Sequence, residues 1–400
     1  MRRSLLSLTV LVLGVLTIVR ADGAEPRIEE FLARHWRTPL APQGAAPARF
    51  TPVEASLAPA ACGSCHPAQL ADWRASLHAR TMGPGVTGQL VEMLRSAPAD
   101  GLGCYTCHAP LAEQRPLLGE ADGHARNPAF DPALEAQGLV CAACHVRGHE
   151  RFGPPRRDGS TADKVPRESL PHDGVTRTPA FLASEFCRGC HQFEADGLAV
   201  NGKLLENTYE EWKASRFARE GVQCQDCHMP DRRHVWRGIH DRDMVRSGLT
   251  IRADVTELRG PSLVASVDVT STRVGHAFPT YVVPRVILRG EQLDANGVAI
   301  ASSRREFVIA REVTLDLERE VRDTRLAPGA TARLAYRVPR DPRAVRLRVA
   351  VVVEPDAFYT RFFEALIAQG AGAGEAQLKR AHSGARRSPF TVFERSWSLT

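Results

Sequence analysis

CGSCHPAQLADWRASLHA, Cys62–Ala79, sets two cysteines three positions apart, a histidine directly behind them, and a second histidine twelve residues further on. The first part of this pattern returns four times. The further copies are CYTCH (Cys104, Cys107, His108), CAACH (Cys141, Cys144, His145), CRGCH (Cys187, Cys190, His191) and CQDCH (Cys224, Cys227, His228). Together the five copies use all 10 cysteines of the chain. Their first cysteines are 42, 37, 46 and 37 residues apart, so only the motif recurs and there is no fixed period of a solenoid.

Paired cysteines can form disulfides in an exported protein, or bind zinc together with histidine. Neither chemistry asks for a histidine immediately after the second cysteine. Histidine is 14 of 400 residues, so five such neighbours by chance has a probability on the order of 5 × 10⁻⁸. Covalent c-type haem attachment does ask for that order. Two thiols on one side of a helical turn form thioethers to the two vinyl groups, and the adjacent imidazole is held beneath the iron. The reading is five haems c, with Cys62, Cys65, Cys104, Cys107, Cys141, Cys144, Cys187, Cys190, Cys224 and Cys227 as attachment points. His66, His108, His145, His191 and His228 are the proximal ligands.

The formal charge of +6 would suit an anionic partner. Five haems add about ten propionate carboxylates, which offset it, and no basic stripe points to nucleic acid. Arginine binds carboxylate bidentately, so Arg151, Arg156 and Arg157 are candidates to pair with propionates; a solvated basic loop is the other reading.

Nine histidines remain for the sixth coordination position, against four methionines after the first residue (Met82, Met93, Met229, Met244). That supply favours haems with two histidine ligands. His78 lies on a helical stretch where Trp73 and Leu77 share a face. His234 and His240 follow the fifth motif, and His240 is preferred because Gly238-Ile239 allows close backbone approach. His276, in VGHAFPT, is held between Gly275 and Pro279. His149 and His172 flank the third and fourth motifs. His124 is held in reserve with His234, while His35 and His382 read as surface residues.

CxxCH followed by WxxSxHA resembles the multihaem cytochromes c related to the tetrahaem cytochrome of nitrifying bacteria and to hydroxylamine oxidoreductase. NTYEEWKASRFAREGVQCQDCHMP (Asn207–Pro230) is similar to another recurrent piece of that group. GIHD and GHAFPT are similar to elements of larger relatives that carry a β domain after the haems. The resemblance covers roughly residues 50–285. It implies that the histidines of WxxSxH and GHxxPT, here His78 and His276, are distal ligands. In the WKASRF copy Arg216-Phe217 stands where the histidine would be, so that segment supplies no ligand. Pentahaem nitrite reductases of the wider group carry a lysine in place of one motif histidine, and no CxxCK is present.

The organisation follows. MRRSLLSLTVLVLGVLTIVRADGA reads as a signal peptide over 1–24, with a basic start, a short apolar run and small residues at its end. An extended arm follows over 25–60, and a helical, loop-rich pentahaem domain over 61–248. Cysteine then vanishes and period-two alternation begins, with Leu263, Ala265, Val267 and Val269 on one face. That predicts an immunoglobulin-like sandwich over 249–355, then a helix starting after Pro355, stopped by Gly370, within a C-terminal segment 356–400 whose tail starts flexible. The expected protein is a periplasmic or cell-surface electron carrier. Its partners would be other cytochromes or quinol-linked membrane complexes. The rival readings are an oxidoreductase acting on a small nitrogen or sulfur compound at one open haem, and a self-associating subunit of a conducting filament.

Overall fold

The computed structural model describes residues 25–120 and 123–399; the expected signal peptide lies outside the described residues. From residue 25 to Gly248 the described chain is a succession of short helices, turns and small strand pairs, and the motifs form the ends of several of the helices. Helices end on the motif histidine at Pro98–His108, Cys141–His145, Glu185–His191 and Cys224–His228. In the first motif His66 instead caps the helix Pro67–Ala75, whose proline occupies the first turn, where its missing N–H costs nothing. Small apolar clusters pack between these pieces. One joins Trp73 to Leu111, Leu134, Val140 and Val146; another joins Met82 to Leu90, Leu102 and Tyr105.

The stretch expected as an extended arm begins as a helix, Glu25–His35. It is held by aromatic residues far along the chain. Phe31 and His35 pack with Phe152 and Phe181, and His35 also meets Phe186. His35, expected at the surface, is buried, and its Nε2 donates to the Cys144 carbonyl at 2.9 Å.

From residue 249 two antiparallel sheets face each other. We label their strands β1 (Leu249–Glu257), β2 (Ser262–Ser271), β3 (Arg285–Leu293), β4 (Arg305–Ile309), β5 (Thr331–Pro339), β6 (Arg346–Glu354) and β7 (Phe390–Ser398). One sheet runs β5-β2-β1 and the other β4-β3-β6-β7. Alternation on β2 and β5 turns every second side chain inward. Val267 and Val269 thereby meet Val286, Leu288, Ile309, Val349, Val351 and Val353 in one core. Asn296-Gly297 makes the turn after β3, with Gly297 at φ +77°.

The segment after β6 turns back on the rest of the molecule. Two helices, Ala357–Ala368 and Glu375–Arg387, pack against Pro84–Ser96 in the haem-motif region. The chain then returns as β7, pairing with β6 along most of its length. The tail read as starting flexible therefore completes the sandwich.

The two regions are joined by Arg311, which is fully buried. Its guanidinium donates to the carbonyls of Val200, Lys203 and Leu204 at 2.7–2.9 Å, and to Glu320 at 2.9 Å. A hairpin of the motif-bearing region is thus fastened to an arm of the sandwich.

Candidate haem-binding site

All ten cysteines are unpaired thiols. Among the described residues no group of three or more His, Cys, Asp or Glu side chains is disposed to hold a bare metal ion. The motifs instead meet one another in a defined order. The Cys62 thiol neighbours that of Cys141, Cys107 neighbours Cys190, and Cys187 neighbours Cys224. Cys144 lies within electrostatic range of Cys187 and Cys190. In space the first motif adjoins the third, the third adjoins the fourth, and the second and fifth both adjoin the fourth.

Three imidazole pairs stand out. The ring centroids of His78 and His191 are 6.4 Å apart, those of His145 and His234 6.2 Å, and those of His228 and His276 6.3 Å. Two metal–nitrogen bonds of about 2.0–2.1 Å on opposite sides of one ion, plus half a ring on each side, come to about 6.3 Å. Each pair combines one motif histidine with one histidine from elsewhere.

Hydrogen bonding to backbone carbonyls fixes the tautomer of five rings. The Nδ1–H of His108, His145 and His228 donates to the carbonyls of Thr81, Phe152 and Arg237 at 2.7–2.8 Å. His276 and His234 donate to Ala277 and Arg232 at 2.9 and 3.1 Å. Nε2 is then the lone-pair nitrogen, as a ligating imidazole requires. Burial, reinforced by neighbouring imidazoles, pushes His78 down to about 3, and burial pushes His191 and His276 to about 4. These rings are held neutral, the form that binds a metal.

The loop carrying His276 rests on the second W-x-x-S segment, which has no ligand of its own. Gly275 lies against Trp212 and Phe217; a Cβ there would meet Trp212 at 3.3 Å. Glu211 accepts from the Ala277 amide at 3.1 Å and from the Thr280 hydroxyl at 2.8 Å. Trp73 anchors the corresponding segment before His78 by donating to the Leu139 carbonyl at 2.8 Å.

The remaining histidines fall in different places. His172 and His149 line one surface cleft. His172 donates through Nδ1 to Gly174 at 3.1 Å and feels the charge of His66. His149 donates through Nε2 to Gly44 at 3.0 Å, leaving a buried Nδ1 without a partner. His240 is exposed and bonds Asp356 at 3.0 Å; it faces no motif histidine. The structure brings His234, not His240, to a motif ring. Sequence reasoning held His234 in reserve because nothing local favours it: three non-glycine residues with positive φ, Asp231, Arg232 and Trp236, shape its loop. Asp72, distant in sequence, accepts its amide at 3.1 Å. His124 is exposed on the strand Gly123–Arg126, and His382 lies on the helix Glu375–Arg387. Among the described residues, no ring pairs with His108 at the spacing of the other three.

Of the arginines expected to meet propionates, Arg156 pairs with Asp163, Arg157 bonds Asp231 at 2.6 Å, and Arg151 donates to the carbonyls of His149 and Glu54. Two other guanidinium nitrogens, Arg147 Nη2 and Arg177 Nε, are buried with no partner, and such donors suit a carboxylate. Unpaired thiols, facing neutral imidazoles and unspent guanidinium donors fit covalently held haem.

Residues 61–146 match the family described as cytochrome c554 and c-prime. The chain is 31% identical over 140 residues to cytochrome c-552 of Aliarcobacter butzleri, covering 32% of this chain and 27% of that protein. It is 26% identical over 137 residues to cytochrome c-554 of Nitrosomonas europaea, covering 32% of this chain and 54% of the other. The matched stretch thus spans about a quarter and about half the length of these relatives. A penta-heme cytochrome c552 from Thermochromatium tepidum shares the fold, with a TM-score of 0.56 at 18% identity, over 87% of this chain and all of that one. The motif pattern and the paired imidazoles thus stand beside a family match over residues 61–146 and a fold shared with a penta-heme cytochrome, and the chain is similar to multihaem c-type cytochromes in both.

Proposed function

We propose that the chain carries five covalently attached haems c and passes electrons among them between redox partners. The observation that carries the reading is the spacing of the imidazole pairs, 6.2–6.4 Å in three separate places. When bound, each haem supplies a one-electron ferric/ferrous couple whose potential depends on its axial ligands, burial and hydrogen bonding. The chain's own residues do the rest. His191 and His78, His145 and His234, and His228 and His276 supply opposed nitrogens. His66 supplies one nitrogen at the first motif; His172, with Nε2 free, and His149, with Nδ1 free, contend for the second. The contacts between motifs put the fourth at a junction, with the third, second and fifth around it. The strand order of the two sheets supports an immunoglobulin-like assignment for the sandwich, which presents His276 to the fifth motif.

Export to the periplasm or cell surface rests on residues 1–24 and on the chemistry of haem attachment. Among the described residues no helix is long and apolar enough to cross a membrane. The partners proposed are other cytochromes or quinol-linked membrane complexes. Intact mass and reduced-minus-oxidised spectra of the exported protein test the reading. Five haem additions and a predominantly low-spin spectrum are expected; fewer additions than motifs overturn it.

His108 favours a second reading, because among the described residues no imidazole faces it. If His108 held an iron without a second imidazole, that iron would supply a binding position for a small nitrogen or sulfur compound, and the protein would be an oxidoreductase. Cyanide or nitrite shifting about one-fifth of the Soret absorption supports this reading, and a fully low-spin, unreactive spectrum removes it.

A further inference from the structure

Three motif histidines, His108, His145 and His228, donate Nδ1–H to backbone carbonyls. His191 differs: its Nδ1 lies 2.8 Å from the Tyr281 hydroxyl. The Tyr281 hydroxyl also lies beside the Glu206 carboxyl. With Nε2 given to a metal, His191 must donate from Nδ1, so Tyr281 accepts from it and has its own proton left for the neighbouring Glu206 carboxyl. The Glu206 carboxylate therefore stands one hydroxyl away from a ligand, at the motif where three others converge.

Glu206 has further connections. The Thr208 hydroxyl lies 3.1 Å from its carboxyl and 2.8 Å from the Thr280 hydroxyl. Thr280 donates to Glu211, which also accepts from Arg325 at 2.9 Å. Arg325 and Lys203 share Asp323 at the surface. The charged or titratable groups facing Glu206 are Cys107 of the helix Pro98–His108, Tyr281, Glu211 and Tyr359 of the helix Ala357–Ala368. Cys107 becomes an uncharged thioether, and the charge of Glu211 is met by Arg325. No cation among these offsets a charge on Glu206, and burial pushes its carboxyl up to about 8.

We propose that Glu206, acting through Tyr281, is a redox-linked proton site for the haem position at His191, taking up one proton as that position gains one electron. The inference rests on the proposed haem occupancy of the fourth motif. The electron comes from the redox partner and the proton from solvent; one O–H bond forms on the carboxylate, nothing else breaks, and local charge is unchanged. As pH rises and Glu206 ionises, Tyr281 becomes a stronger acceptor for His191 Nδ1–H. That makes the imidazole more electron-rich and favours the oxidised state. By linkage, reduction must favour protonation by the same factor.

The experiment is spectroelectrochemical titration of the fully loaded protein from pH 6 to 10, for the native chain, Glu206→Gln and Tyr281→Phe. Mass and thiol alkylation first establish that Cys187 and Cys190 carry a haem; reactive thiols there overturn the occupancy reading, separately from the proton site. In the native chain one low-spin potential should fall as pH rises while the other low-spin potentials stay flat. Its slope should approach one proton per electron, a tenfold shift in the redox equilibrium per pH unit. Both variants should remove the slope and leave the remaining potentials in place. A slope that survives Glu206→Gln and Tyr281→Phe, a slope carried by a high-spin component, or no slope in the native chain overturns the proposal.

Discussion

The three facing imidazole pairs make the contribution of single residues testable. His276→Met replaces nitrogen with a thioether and should raise one potential without lowering the number of haems, which potentiometry and mass together report. His240→Ala should leave every spectrum unchanged, because that ring is spent on Asp356 at the surface. His234→Ala should convert one low-spin component to high spin. The motif residues were legible in the sequence because covalent attachment dictates their order. That His78 and His276 face motif rings agrees with the resemblance that their surroundings carry. The choice of His234 over His240 was not, since it depends on positive-φ residues of a type that gives no signal. Tyr281 was equally hidden: it lies 90 positions from His191, and only the folded chain brings the two together.

Among the elements, the packing of the C-terminal helix pair is decided by absent side chains. A Cβ at Gly374 would lie 1.9 Å from the Gly88 carbonyl oxygen, and one at Gly88 would strike Leu378. Gly374→Ala should therefore push the helix Glu375–Arg387 off Pro84–Ser96, seen as faster proteolysis around residue 370 with the haem count unchanged. Gly384→Ala lies inside the same helix with nothing within 4 Å, and should instead stabilise it by up to about 1 kcal/mol. In the sandwich, Leu288→Ala removes a fully buried side chain and should cost about 2–5 kcal/mol by denaturant titration. The alternation of β2, β5 and β6 was readable because both sheets bury one face. The last strand was not: FTVFERSWS places aromatic and charged residues without strict alternation and lies at the sheet edge, half covered. The helix at Glu25 escaped notice because its stabilising partners, Phe152, Phe181 and Phe186, lie more than a hundred residues away.

At the scale of the molecule, Arg311 is the lock between the two regions. Arg311→Met leaves three carbonyls without their donor and Glu320 with only Lys203 and Asn201, and should cost about 3–5 kcal/mol, measured as a lower unfolding midpoint. Burial opposes ionisation of Glu320 and Asp323. Hydrogen bonds from Lys203 to both, from Arg311 to Glu320 and from Arg325 to Asp323 outweigh it and hold both carboxyls below their usual range. Groups lowered in this way stabilise the joined form above the ordinary carboxylate pKa, and the contribution is lost as pH falls through their folded values. Below about pH 4 the native protein should thus open at this joint, while Arg311→Met should show a weaker acid transition, both followed by near-ultraviolet circular dichroism. The position of the loop that bears His276 and Tyr281 also has a consequence in time. Every CxxCH precedes that loop along the chain, so in a chain delivered from its N-terminus thioether formation can run ahead of coordination. A chain cut short at residue 248 should mature as a coloured intermediate whose last iron waits for a partner; completing the sandwich would be the closing act of assembly.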